Sequence, residues 1–159
     1  MNNIELTIEA LKRCVPADVF NAAMEKVKAE NGHPASGTAV VTEATQEFLT
    51  QIGIPSHVLG YRFLTIGLTL LVEEPSLSFN ITTRLYPKIV DRFWGTTAQR
   101  VERGIRSAIE SAWSNGDPDE LARCFGEAVS YRKGRPTNAA FMVRAADLIR
   151  REVEKKGVA

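Results

Sequence analysis

The sequence is poor in residues that bind metals. It has two cysteines, Cys14 and Cys124, and two histidines, His33 and His57. None of these lies at the spacing of a zinc site, so we predict no metal. Cysteines in a protein of the cytosol are ordinarily reduced thiols. We therefore expect a cytoplasmic protein whose cysteines are buried and unpaired.

Long apolar runs are also missing. The longest, around residues 66–72, is too short to span a bilayer. The first residues, Met1–Glu5, do not show the basic stretch followed by an apolar core that marks a signal peptide. The sequence therefore predicts neither a membrane contact nor a secretory leader.

Recognisable catalytic patterns are absent as well. We find no glycine-rich phosphate loop, no pair of catalytic carboxylates and no nucleophile with its base. His57 has no evident nucleophile or carboxylate partner, so we interpret it as structural or exposed. The sequence predicts no enzyme and no cofactor.

Charge is unevenly distributed along the chain, although the net charge is only +1. Residues 1–50 contain four lysines and arginines and seven acids, whereas residues 81–159 contain fifteen basic and ten acidic residues. The acidic N-terminal segment and the basic C-terminal half indicate that the C-terminal half faces phosphate groups.

The clearest pattern is an amphipathic helix over residues 97–113. Apolar residues recur there at spacings of three and four, which places them on one stripe. Thr96 and Gln99 have the spacing of a capping box, so Thr96 is the predicted cap. The predicted stripe consists of Ala98, Val101, Ile105, Ala108, Ile109 and Ala112.

The opposite face of this helix carries Gln99, Arg100, Glu102, Arg103 and Arg106. A solvated surface with Glu/Arg pairs is one interpretation. The other is a DNA recognition helix, because arginine pairs with guanine, glutamine with adenine, and glutamate accepts from cytosine. Side chains on the N-terminal turns are best placed to enter the major groove.

The preceding segment supports the second interpretation. Residues 81–93 form a predicted helix with Leu85, Ile89 and Phe93 on one stripe, and a short connection with Gly95 follows. A short helix, a tight turn and a longer helix form a helix-turn-helix pattern. On the polar side of the first helix, Arg84, Lys88 and Arg92 either form a solvated edge or contact phosphates.

The remaining segments are also helical by pattern, so the predicted fold is all-α. Residues 4–31 form a predicted helical hairpin and residues 33–37 a linker, which together make an N-terminal part over 1–37. Residues 38–159 form the predicted DNA-binding domain. It adds helices that begin at Thr42, at Ser56 (the buried central helix), at Asp117 and at Thr137 or Asn138.

The helix pair resembles the C-terminal effector domain of the stage zero sporulation protein A family, response regulators that commit endospore-forming bacteria to sporulation. The resemblance covers residues 45–155 and lies in Leu85-Tyr86-Pro87, Thr96-Thr97-Ala98, Arg100-Val101-Glu102-Arg103, Ile105-Arg106 and Arg135-Pro136-Thr137-Asn138. It implies an all-helical fold of six helices whose third and fourth form the helix-turn-helix. It also implies binding to a short asymmetric DNA box and contact with RNA polymerase sigma subunits.

Position by position, Arg100, Glu102, Arg103 and Arg106 are identical to the family's residues on the recognition helix. Gln99 stands where the family commonly has serine, and Ser107 where it commonly has histidine. These two positions bear on which DNA sequence is preferred and not on DNA binding as such. The family also has basic residues in the loop that contains Lys133 and Arg135. About 45 residues precede the match, too few for a receiver domain, so we expect that control by phosphorylation does not carry over.

We therefore predict a sequence-specific DNA-binding transcription regulator that reads the major groove with helix 97–113. Gln99, Arg100 and Glu102 would read base edges, Arg103 and Arg106 would divide between bases and phosphates, and Lys133 and Arg135 would hold the DNA backbone. Double-stranded DNA is the expected partner, together with a sigma subunit and a second copy, as a homodimer or in tandem on DNA. The alternative is a protein-interaction module or antagonist that assembles through its N-terminal helices.

Overall fold

The structure is a computed structural model that describes residues 16–19, 21, 36–126 and 134–157. The chain divides into two compact units, residues 1–36 and residues 37–159. In the first unit, residues 17–19 and 21 are helical. The rest of the predicted hairpin and most of the linker lie outside the described residues. The alternative function, which depends on those helices, therefore stays a prediction. The functional division at residue 37 stays a prediction.

Helices account for nearly all of the regular structure, and the described residues contain no strand, so the all-α prediction is confirmed. A 3₁₀ turn over Pro75–Asn80 and a wider π turn over Ile81–Leu85 connect the second helix to the third. The described α-helices are α1 (Ser36–Gln51), α2 (Leu59–Glu73), α3 (Tyr86–Arg92), α4 (Ala98–Asn115), α5 (Pro118–Phe125) and α6 (Asn138–Lys155).

Helix α2 lies at the centre of the second unit and packs against both α4 and α6. Its sequence is apolar nearly all round, and such a helix is stable only when it is surrounded by other elements. Phe63, Leu64, Leu68 and Leu71 are almost completely buried. Each contributes about 2 kcal/mol through the apolar area that it removes from water.

Two glycines allow α2 and α4 to approach each other closely. A Cβ atom built on Gly60 of α2 would overlap the carbonyl oxygen of Gly104 and lie 2.6 Å from the Cβ of Ala108. A Cβ atom built on Gly104 would lie 2.9 Å from the ring of Phe63. The backbones therefore meet where any larger side chain would force the two helices apart.

The opposite end of α4 is fixed by aromatic packing. The rings of Trp113 and Phe125 meet edge to face with centroids 5.2 Å apart, and Phe125 stacks on Phe141 of α6 at 5.1 Å. Offset and edge-to-face ring pairs add to the stabilisation that comes from burial. The C-terminal turns of α4 are thus embedded in the domain, which leaves its N-terminal turns as the end that can reach a ligand.

Several predicted helix boundaries were wrong. Helix α1 begins at Ser36 and not at Thr42, and α2 begins at Leu59 and not at Ser56, because residues 56–58 form a turn after Pro55. The predicted helix over residues 81–93 is a π turn followed by α3. The N–H of Tyr86 bonds to the carbonyl of Ile81, five residues back. The wider turn precedes Pro87, whose ring would clash with the carbonyl four residues earlier in a regular helix.

Candidate nucleic-acid interface

The α3–α4 pair has the order of a helix-turn-helix: a short helix, a tight connection over residues 93–97 and a longer helix. Gly95 has a φ of +81°, a conformation that glycine adopts without strain, and it reverses the chain between the two helices. The cap of α4 is Thr97, whose hydroxyl accepts the N–H of Arg100 at 3.3 Å. The prediction that Thr96 is the cap was therefore wrong by one residue.

One side of α4 is buried against the core. The predicted stripe is correct for its five later members, Val101, Ile105, Ala108, Ile109 and Ala112. Ala98 is exposed and was assigned to the stripe wrongly, since it is the first residue of the helix and precedes the first turn that contacts the core. Burial of this stripe fixes the rotation of α4, so the polar side chains of its first three turns face outward.

The candidate DNA-binding residues of α4 occupy that outward face. The side chains of Gln99, Arg100, Arg103, Arg106 and Ser107 are exposed, and Glu102 is half-buried. Three arginines against one glutamate make the face positive. The arrangement brings all six candidates on this helix onto one continuous surface around its N-terminal half.

On one flank of this surface the charges are paired, and we call it the paired flank: Glu102, Arg106, Glu110 and Arg135. Arg106 donates to Glu102 one turn away at 2.5 Å, and Arg135 is ion-paired with Glu110. Arg135 comes from the segment before α6, so its ion pair joins that segment to α4. Lys133, its predicted companion in DNA backbone binding, lies outside the described residues.

Asn138, the first residue of α6, also fixes the paired flank. Its side-chain amide donates to the backbone carbonyl of Glu102 at 3.0 Å and to the hydroxyl of Tyr86 at 3.3 Å. Burial raises the pKa of Tyr86 above its ordinary value, so this hydroxyl is neutral at physiological pH. One amide thus joins α3, α4 and α6 beside a cleft of about 520 Å³ that Glu102, Arg106 and Arg135 line.

The other flank carries charge without carboxylate partners, and we call it the open flank: Arg100, Arg103 and Ser107 with the groove beside them. Within the described residues, neither Arg100 nor Arg103 forms an ion pair. The groove has a volume of about 370 Å³ and an apolar floor that includes Leu59, Phe63 and Phe93. An anion that reaches this flank would meet two guanidinium groups without displacing a carboxylate.

Helix α3 and the turn before it add a second set of paired cations. Lys88 donates to Glu74 at 2.8 Å, and Arg84 contacts the same carboxylate at 3.5 Å. The hydrogen bond from Lys88 is the main reason that the pKa of Glu74 lies below its ordinary value. Arg92, at the end of α3, is exposed and makes no ion pair to any residue that the structure describes.

Sequence reasoning missed three features of this surface. Asn138 was considered only as a helix cap, and neither Glu74 nor Glu110 was assigned a partner. Their roles depend on neighbours far away in the chain, so no local spacing could have indicated them. As for other site types, no cluster of three or more metal-ligating side chains occurs in residues 16–19, 21, 36–126 and 134–157. No helix in those ranges is long and apolar enough to cross a bilayer.

A comparison with known protein families agrees with this geometry. The model of the family described as "Sporulation initiation factor Spo0A C terminal" matches residues 45–149, which is well over half of the chain. The matched region starts within α1, includes α2 to α5, and ends within α6. The chain therefore belongs to the Spo0A C-terminal family, whose members are DNA-binding effector domains of transcription regulation in sporulation.

Proposed function

We propose that the protein is a sequence-specific transcription regulator that inserts the N-terminal half of α4 into the major groove of double-stranded DNA. The observation that carries this proposal is the outward, positive surface of the first three turns of α4, which follow a tight turn in a member of a DNA-binding family. A helix of this width fits the major groove, and its leading turns reach base edges first.

The side chains of α4 divide naturally between bases and phosphates. Gln99 and Arg100, on the first turn, have the donor patterns that suit adenine and guanine, and Glu102 accepts from cytosine. Arg103 and Arg106 are long enough to reach either a base or a phosphate. Ser107 is the last exposed candidate along the helix and can donate to either.

Contacts to the DNA backbone would set the register of α4 in the groove. We assign these contacts to Lys133 and Arg135. Phosphate contacts position a protein on DNA without reading its sequence. Arg135 would have to exchange Glu110 for a phosphate, which is feasible because both side chains are half-exposed and such surface pairs are weak. We also assign to the protein a sigma-subunit contact through α5 and binding as a homodimer or in tandem on DNA, as the family resemblance implies.

Fluorescence anisotropy with the purified full chain would test the proposal. One labelled duplex carries the sporulation-family box and the other a scrambled version, and both are titrated at a series of salt concentrations. We expect tighter binding to the box by about 10³-fold or more. Equal, salt-sensitive binding to both duplexes would mean that the operator differs from the family box. Absence of binding to both would contradict the proposal.

A pair of substitutions would test the division of roles. Glu102→Ala removes a base-reading group, so we expect it to relax the preference for one base pair by about 1–3 kcal/mol. Lys133→Ala removes a backbone contact, so it should weaken binding to all sequences similarly and lower the salt slope by about one. Equal losses from both substitutions across all sequences would show that the roles are not divided in this way.

A further inference from the structure

Trp94 is the most exposed large apolar side chain among the described residues, with 99% of its surface accessible. It lies in the connection between α3 and α4, directly before Gly95. A Cβ atom built on Gly95 would have no neighbour within 4 Å, so the turn lies in open space. The positive φ of Gly95 and the absence of packing around it leave the indole pointing away from the domain.

The other tryptophan shows how differently the same side chain is used elsewhere in the fold. Trp113 is half-buried and meets the rings of Phe125 and Phe141 edge to face. An indole that stays completely in water has no such packing to stabilise it. Tryptophan is enriched at binding surfaces, where its apolar faces and its single N–H donor both find partners.

The surroundings of Trp94 indicate what kind of partner would cover it. Arg92 precedes it by two residues, and the open flank with Arg100 and Arg103 begins beyond the turn. The groove of that flank has Leu59, 56% exposed, and Phe93 in its lining, and no acid is among its described lining residues. A DNA strand, in which phosphates alternate with deoxyribose rings, fits these groups. Its phosphates can pair with the guanidinium groups and accept from the indole N–H, and its deoxyribose rings can contact the apolar carbon.

We propose that Trp94 contacts the sugar–phosphate strand beside the groove that α4 reads, with the indole against a deoxyribose and its N–H directed to a phosphate oxygen. This inference rests on the proposed function, because it requires α4 to face DNA. The contact involves no base edge, so it strengthens binding to every sequence equally. It also involves no ionic group of the protein, so it leaves the salt dependence of binding unchanged.

Alanine substitution gives the first test, with an exposed ring elsewhere as the control. Trp94→Ala removes the contact, and we expect binding to weaken about tenfold for both the family box and the scrambled duplex, with the same salt slope. Phe79 is 84% exposed and lies in the 3₁₀ turn before α3, so Phe79→Ala should leave both affinities unchanged. Unchanged affinity in Trp94→Ala would overturn the inference. An equal loss in both variants would also overturn it.

Tryptophan fluorescence gives an independent test that does not depend on removing the side chain. The chain has two tryptophans, so Trp113→Phe leaves Trp94 as the only indole. In the free protein, acrylamide should quench its emission almost as readily as that of free tryptophan. Addition of the box duplex should lower the quenching constant at least threefold, because the DNA strand covers the ring.

The outcomes separate this inference from the proposed function. If anisotropy shows binding while Trp94 remains fully accessible to acrylamide, the tryptophan contact is wrong and DNA binding stands. If protection appears without DNA and rises with protein concentration, a second copy covers Trp94, and the inference is overturned in favour of self-association. If neither duplex binds, the inference falls together with the proposed function.

Discussion

On the paired flank of α4, Arg106 and Arg135 each face a carboxylate, whereas on the open flank Arg100 and Arg103 border an apolar groove without a described acid. Arginine side chains around the same helix therefore differ in whether a carboxylate neutralises their charge. A cation without a carboxylate partner can bind a phosphate directly, while a paired one must first exchange its partner. Both flanks are largely solvated, so the exchange on the paired flank costs little.

This difference suggests a division of work between the two flanks. Arg103 of the open flank would supply affinity, since each phosphate that is neutralised releases counterions from the DNA. Glu102 of the paired flank would supply discrimination, because its carboxylate disfavours any base pair that offers it no hydrogen-bond donor in the major groove.

The largest effect is expected from Gly60→Ala, which removes the close approach of α2 to α4. The added methyl group would overlap the backbone of Gly104 and lie against Ala108, and neither backbone can move alone. We expect a loss of about 3 kcal/mol in the free energy of unfolding, as for an overpacked core. The side chains of the paired flank and of the open flank would be displaced together with α4. Urea denaturation followed by circular dichroism measures this loss.

Gly37→Ala is the matched control for that experiment. Gly37 is an exposed helical residue, and a Cβ atom there would meet nothing within 4 Å. Alanine is the better helix former, so this variant should be as stable as the natural chain or slightly more stable. If Gly60→Ala were equally harmless, the two helices would have room to separate, and the close seating of α4 on α2 would be wrong.

The comparison itself is tested by changing one charge on each flank. Arg103→Ala removes an unpaired cation from the open flank, so affinity should fall about tenfold and the salt slope should decrease by about one. Glu102→Gln removes the carboxylate that neutralises Arg106 on the paired flank. It should strengthen binding to scrambled DNA and increase the salt slope, because Arg106 becomes available to a phosphate. Anisotropy titrations over a salt series measure both slopes.

Arg151→Ala is the control for loss of one positive charge. Arg151 is exposed on α6 and lines a different groove with residues of α1 and α5. Its removal should change the slope by much less than one. If Arg103→Ala and Glu102→Gln shifted the slope in the same direction, the two flanks would not differ in their use of charge.

The pattern of α4 could be predicted from the sequence because it is local. The spacing of Val101, Ile105 and Ile109 already defines the buried side of the helix, and with it the exposed side. The cap was displaced by one residue because Thr96 and Thr97 are adjacent and chemically alike. Only the backbone conformation distinguishes them, since Thr97 is the extended residue directly before the first helical turn.

The pairing of charges could not be predicted in the same way. Glu110 and Arg135 are 25 positions apart, and Asn138 reaches the carbonyl of Glu102 across 36 positions. Such contacts depend on how α6 returns to the α3–α4 pair, which no periodicity encodes. The Gly60–Gly104 approach is of the same kind. Sequence patterns therefore predicted which residues face outward, but not which of the exposed arginines are partnered.

The smallest effect concerns Glu74, the carboxylate that pairs with Lys88 and Arg84 before α3. Its pKa in the folded protein lies below the ordinary value of 4.5, chiefly because of the hydrogen bond from Lys88. A carboxyl group with a lowered pKa stabilises the fold above its ordinary pKa. That contribution disappears as the pH falls through the folded-state pKa. The natural chain should therefore melt at a higher temperature than Glu74→Gln near neutral pH, and the difference should shrink as the pH falls below 4.5 and disappear below the folded-state pKa.

Glu154→Gln is the control, because Glu154 is exposed on α6 and makes no ion pair within the described residues. Near neutral pH its melting temperature should be close to that of the natural chain. Since the Glu74 pair is largely solvated, added salt should also reduce the difference between the natural chain and Glu74→Gln. A difference that did not shrink on acidification or in high salt would mean that Glu74 acts through packing and not through charge. Arg84 and Lys88 would then be, like Arg100 and Arg103, cations that no carboxylate neutralises.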